Sequence, residues 1–299
     1  MGFAFQSLDF SDERSGPELA SEWIFRDWRL LNREGRSLIQ SFVTEWTSLI
    51  DNAQTREIDC LEFIRENTGL LLFEPPETTI VLSEVALGSD YVIDFVRVTE
   101  GFSAGTKYEL IEFESPNSRM YNKNGKTSAR LTGAIDQVNE WRRWIREHRS
   151  QAEKIFPSAC WGCGSEPLFS YSIVMSRREE SVTVRNKNWS KLHDGGVSIM
   201  SYDRLTNWVS RRFFTDEFSC GLASQDHKYL SQRKLLNLAA CPFFRALRHA
   251  EWKELNPTRN SYFCEHLTGP YLELVPHSRL MNQARLQAFD QLANSLPKR

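Results

Sequence analysis

The segment YELIEFESP, residues 108–116, carries three carboxylates, Glu109, Glu112 and Glu114, in an otherwise apolar run that stops at a proline. Alternate side chains of a strand share a face, so Glu112 and Glu114 would stand side by side, about 7 Å apart. Two like charges that close repel. An earlier stretch, DYVIDFV, brings a further acid, Asp94, into an apolar run where an unpartnered carboxylate is costly to bury. If these strands pair, Asp94, Glu112 and Glu114 meet on one patch that calls for a cation. Oxygen donors alone, few enough to leave places for substrate oxygens, suit Mg²⁺ or Mn²⁺ rather than zinc. The competing reading makes Glu112 and Glu114 the wet face of an antiparallel sheet whose dry face holds Ile111 and Phe113.

A second set of residues is basic. Residues 1–116 carry a charge balance of −13 and residues 117–299 one of +11, so the near-neutral total hides an acidic half and a basic half. The excess peaks just after the acidic strand, with Arg119, Lys123, Lys126 and Arg130, and then Arg142, Arg143, Arg146 and Arg149. Arg177 and Arg178 follow a later strand. Backbone phosphates need only positive charge and donors, so Arg119, Lys123, Lys126, Arg130, Arg177 and Arg178 are candidate nucleic-acid contacts, and a polyanionic partner is expected. The same residues serve equally well as a solvated surface.

The six cysteines lack framework spacing, and reduced thiols are expected. Cys160 and Cys163 form a C-x-x-C, but zinc needs a second pair, and Cys264 with His266 is oddly spaced for one. No run approaches the ~20 apolar residues that span a bilayer. The N-terminus lacks a basic start ahead of an apolar core, and Gln6 stands where myristoylation needs Ser or Thr. A cytoplasmic protein without a membrane partner is therefore expected.

Several elements must position these residues. TTIVLSEVAL, DYVIDFVRV and KYELIEFES read as strands, and FSYSIVM and GVSIM as two more. CLEFIRENTGLLLF reads as a lead-in helix with Leu61 and Ile64 on its apolar face and a stop at Gly69. From Ser128 to Gln151 the spacing predicts a long helix with Leu131, Ala134, Ile135, Val138, Trp141 and Ile145 as its stripe. The fold class is α/β: a mixed central sheet flanked by helices, with a helical N-terminal segment over 1–57, a core over 58–210, and a mostly helical extension over 211–299.

In this order the pieces resemble the PD-(D/E)XK nuclease superfamily and, within it, the Shedu anti-phage defence proteins. The resemblance covers residues 58–210 and rests on LEFIRENTGLLL, YVIDFV, YELIEFESP, GAIDQVNEW, YSIVMSRREE and GVSIMSYDRLTNWV. It implies a restriction-endonuclease-like core, a Mg²⁺ (or Mn²⁺) dependent endonuclease acting on DNA, and assembly into a homo-oligomer. It makes Asp94 and Glu112 the metal ligands, with the main-chain carbonyl of Phe113 as a third. Gln137 matches a helix glutamine that orients the site or the substrate backbone, and Glu62 stands as an accessory acid. One position departs from the pattern. Glu114 occupies the place where the family usually has lysine, so it either positions water or binds metal itself, or marks a site that has lost cleavage and kept nucleic-acid binding. Two other classes stay open: a catalytically inactive nucleic-acid sensor or scaffold, and an unrelated α/β protein whose acidic strand is surface.

Overall fold

Strands rich in β-branched and aromatic residues alternate here with helices that bury a single stripe, and the two patterns assemble into one layered α/β unit. The computed structural model describes residues 35–72, 78–100, 105–178, 196–214, 243–255 and 280–295. Trp23, Trp28, Cys220, Cys241, Cys264 and His266 lie outside these.

In chain order the elements near the sheet are α1 (Arg36–Asp51), α2 (Glu57–Glu66), α3 (Thr68–Leu71), β1 (Thr78–Leu87), β2 (Tyr91–Glu100), β3 (Thr106–Phe113), α4 (Ala129–Glu147), α5 (Arg149–Ile155), α6 (Ala159–Gly162), β4 (Leu168–Val174), β5 (Val197–Met200) and α7 (Tyr202–Phe214). The last segment supplies β6 (Phe244–Arg245), β7 (Leu247–Arg248), α8 (His249–Leu255), β8 (Leu280–Met281) and α9 (Gln283–Ser295).

Six strands form a mixed sheet in the order β5-β4-β3-β2-β1-β7. β1, β2 and β3 are an antiparallel meander, β4 and β5 run parallel to β3, and β7 pairs parallel with β1. The parallel β3–β4 crossover is made by α4 to α6, as parallel pairing requires a long connection.

Two apolar clusters cover the two faces. On one, Phe95, Ile111, Phe113 and Val174 pack with Ile39, Phe42 and Trp46 of α1, Ile64 of α2, Leu205 and Val209 of α7, and Phe243, Leu286 and Phe289 from the last segment. The other unites Val96, Leu110 and Ile173 with Leu131, Ala134, Val138 and Trp141 of α4. Residues on both sides of the 58–210 core thus share its first cluster. The stripe expected of α4 is seen, with Trp144 added to it and Ile135 only partly buried. The lead-in helix ends earlier than Gly69: α2 stops at Glu66, Asn67 takes its cap, and Gly69 falls inside the short α3. Its buried residues are Cys60 and Ile64, while Leu61 is only partly covered.

Candidate active site

Antiparallel pairing places Phe95 opposite Ile111 and Val96 opposite Leu110. Extended by one residue, that register faces Asp94 with Glu112. Asp94 Oδ2 accepts the backbone N–H of Phe113 at 2.8 Å, which pins the carboxylate across the strand end. Glu112 is only 7% exposed, so it is no wet face. The sheet is covered on both sides, and the exposed-face alternative fails for this residue. Glu114 is half-buried just past the strand, its N–H bound to Val174 O at 2.9 Å and its own carbonyl accepting from the Tyr202 hydroxyl at 2.9 Å.

A fourth acid joins them. Glu57, in the first turn of α2, acts electrostatically on Asp94, Glu112 and Glu114 alike. Its signal was in the sequence: the buried stripe Cys60 and Ile64, traced back one turn, lands on Glu57. Glu62 lies five residues on, about 140° around the helix, and is exposed. Of the two, it is Glu57 that the structure brings to the acidic group.

The electrostatics of this group are unusual in sign. Burial pushes the Asp94 carboxyl up, and the charges of Glu57 and Glu114 add to it against the opposing Phe113 hydrogen bond. Glu112 is raised by burial and then by Asp94, Glu114 and Glu57. Burial and Glu57 raise Glu114, while Arg130 lowers it. Glu57 is raised by burial and relieved by Arg130 and by a backbone hydrogen bond from Ser115. Among the described residues the positive charge that acts on this group is Arg130, on the first turn of α4, with Nη1 3.5 Å from Glu114 Oε2. Its side chain is 70% exposed, so the compensation is partial.

Two buried oxygens, Oε2 of Glu112 and Oε2 of Glu114, have no hydrogen-bond partner among the described residues. Hard oxygen donors, excess negative charge and unsatisfied lone pairs fit a divalent cation in kind. The carboxyl groups do not close on one point as they stand: among the described residues, no group of three or more His, Cys, Asp or Glu is arranged to hold a metal ion. Glu109, the remaining acid of the strand, points to the opposite face, where Arg97 Nε donates to it at 2.7 Å and Ser172 also donates.

Gln137 lies two turns beyond Arg130 on the same side of α4, half-buried, and makes no side-chain hydrogen bond among the described residues. The basic candidates divide into three groups. Arg119, Lys123, Arg177 and Arg178 line a single cavity, Arg130 joins the carboxylates, and Lys126 is exposed on the hairpin between them. Arg177 is already neutralised: it bonds Asp51 and Asp203, which raise its pKa, and donates to Ile50 O at 3.2 Å. Farther along α4, Arg142 lies 4.4 Å over the Tyr171 ring, Arg143 pairs with Glu140, and on α5 Arg149 pairs with Glu153. Cys60, Cys160 and Cys163 are free thiols.

A mixed six-stranded sheet with helices on both faces, carrying an acidic cluster where β2 and β3 meet, defines an α/β protein with a buried group of crowded carboxylates. The profile of the family described as Shedu protein SduA, C-terminal, matches residues 54–206, which include all four carboxylates, and the chain belongs to that family. Membership links it to anti-phage defence. No curated protein matches the chain. Among the described residues no helix is long and apolar enough to cross a membrane.

Proposed function

We propose that this protein is a metal-dependent endonuclease that hydrolyses DNA phosphodiester bonds in anti-phage defence, on a restriction-endonuclease-like core of the PD-(D/E)XK type. The observation that carries the reading is the group of four carboxylates, two of whose buried oxygens accept no hydrogen bond among the described residues and whose ion pair is the long one to the exposed Arg130. A fold has no stability reason to crowd Glu57, Asp94, Glu112 and Glu114, since each raises the cost of ionising the others.

Asp94 and Glu112 would hold Mg²⁺ or Mn²⁺, which when bound acidifies water and polarises a phosphoryl oxygen. Everything else falls to the chain. The Phe113 N–H fixes the Asp94 carboxylate, so the ligand is oriented before substrate arrives. Glu114, its pKa raised toward the working range, accepts the proton of the attacking water. Tyr202 holds the main chain of Glu114 in place. Arg130 supplies the positive charge that a lysine at position 114 would otherwise bring, from the neighbouring helix rather than from the strand. Gln137, farther along the same side of α4, faces the substrate backbone in this reading.

Supercoiled and linear DNA incubated with Mg²⁺, Mn²⁺ or EDTA tests the assignment. Cleavage should need the metal, fall by about 10²–10⁴-fold in Glu114→Ala with the fold intact, and not return in Glu114→Lys. A wild type that is silent and a Glu114→Lys variant that cleaves would make the native protein a binding module with a disabled site.

A further inference from the structure

A cavity of about 500 Å³ opens beside the acidic group, at the carboxyl ends of the parallel strands β3 and β4. Crevices there are where open α/β sheets take ligands. Two segments wall it: the loop after β3, with Asn117, Arg119, Asn122 and Lys123, and the exit of β4, with Arg177 and Arg178. Four cations and no carboxylate line the cavity. Arg177 is neutralised by Asp203 and Asp51, and Arg178 donates its backbone N–H to Asp203, but the side chains of Arg119, Lys123 and Arg178 form no ion pair among the described residues.

The walls are built rather than incidental. The Asn117 side-chain amide donates to three carbonyls of the turn between α1 and α2, those of Asn52, Ala53 and Thr55, at 3.2–3.3 Å. Asn122 Oδ1 accepts the backbone N–H groups of Asn124 and Lys126, and a Tyr121–Thr127 bridge closes the hairpin that presents Lys123, with Arg119 two residues ahead of it. Ser176 adopts φ 64°, a left-handed conformation costly for a residue with a Cβ, and there the chain turns out of β4 to bring Arg177 and Arg178 to the cavity. The backbone that carries the cations is thus held on both walls of the cavity by its own hydrogen bonds.

We infer that this cavity binds a phosphate group, offset from the carboxylates and independent of metal. Asn117 stands three residues past Glu114, so the two lie at most about 11 Å apart. A strand with one phosphate at the carboxylates would place another here, a few nucleotides along at about 3.4 Å rise each. The identity of the phosphate as part of a nucleic-acid strand rests on the function proposed above; the anion site itself does not.

The test is binding in EDTA, where no cleavage occurs, using a fluorescent single-stranded oligonucleotide, a deoxynucleoside 5′-monophosphate and inorganic phosphate as competitor. The triple variant Arg119→Ala, Lys123→Ala, Arg178→Ala should bind the oligonucleotide at least about tenfold more weakly, with a log–log salt slope flatter by about 2. The exposed charge reversal Lys123→Glu should weaken it in the same direction, and Arg143→Ala, on the far part of α4 where Arg143 pairs with Glu140, should leave it unchanged. Tight binding of the strand alone identifies a backbone phosphate, and equal binding of the mononucleotide identifies a free one. Undiminished binding in the triple variant and in Lys123→Glu, or no binding of any of the three probes to wild type, overturns the site. A wild type that binds in this way yet cuts no DNA with Mg²⁺ or Mn²⁺ counts against the carboxylate centre alone.

Discussion

Glu109 and Glu112 are three residues apart on one strand and meet opposite fates. Glu109 is enclosed with Arg97, at 16% and 14% side-chain exposure, and takes a further hydrogen bond from Ser172. Glu112 is buried among three other acids with one oxygen unpartnered. Period-two alternation sends them to opposite faces, and what awaits each face decides the rest. A buried carboxylate given a guanidinium is part of the scaffold. One that is given only more carboxylates is held at a cost that a ligand must offset.

Breaking the compensated side should cost most. Arg97→Met strands Glu109 beneath α7, and the expected loss is about 3–5 kcal/mol, read as a lower urea midpoint. Removing charge from the uncompensated side should do the reverse. In metal-free buffer Glu112→Gln is expected to raise the melting temperature by about 2–5 °C, while with Mg²⁺ supplied its cleavage falls to background, the trade between stability and activity that strained centres show. A variant that loses both would return Glu112 to the scaffold.

Acidity sharpens the same contrast. The four clustered carboxyls all titrate higher in the folded chain than in the unfolded one. Above about pH 4, where unfolded carboxylates ionise, the folded state therefore keeps more protons. Their contribution to stability is greatest in mild acid and declines as pH climbs until the folded groups have ionised. The difference in unfolding free energy between Glu112→Gln and wild type should accordingly widen from pH 4 upward, as measured by urea titration in EDTA. A flat difference would mean that Glu112 is not strained by its neighbours. Smallest is the effect of metal itself. Millimolar Mg²⁺ should raise the wild-type melting temperature by about 1–3 °C at neutral pH, and not that of Asp94→Asn.

The strands, the long basic helix and the acids Asp94, Glu112 and Glu114 were legible because each rests on local periodicity. The face of Glu109 was legible too, but not its partner, because Arg97 lies on another strand and register depends on pairing. Glu57 was missed although its helix stripe pointed to it, since an acid in a first helical turn ordinarily reads as a favourable dipole contact. Arg177 looked like a phosphate ligand from its position after a strand. Its two aspartates, Asp51 and Asp203, come from 126 residues before and 26 after, a distance no local pattern spans.

The indole N–H of Trp46 donates to Thr206 Oγ1 at 2.9 Å. Thr206 is the last residue of the family match, and Trp46 lies eight residues ahead of its first. A fragment trimmed to residues 54–206 would discard α1 and all of α7 beyond Thr206, Val209 included, and take away the Asn52 and Ala53 carbonyls that anchor Asn117 and the Ile50 carbonyl and Asp51 that hold Arg177. The stretch matched by the family profile is thus smaller than the packed unit, whose first cluster draws on residues from Ile39 to Phe289.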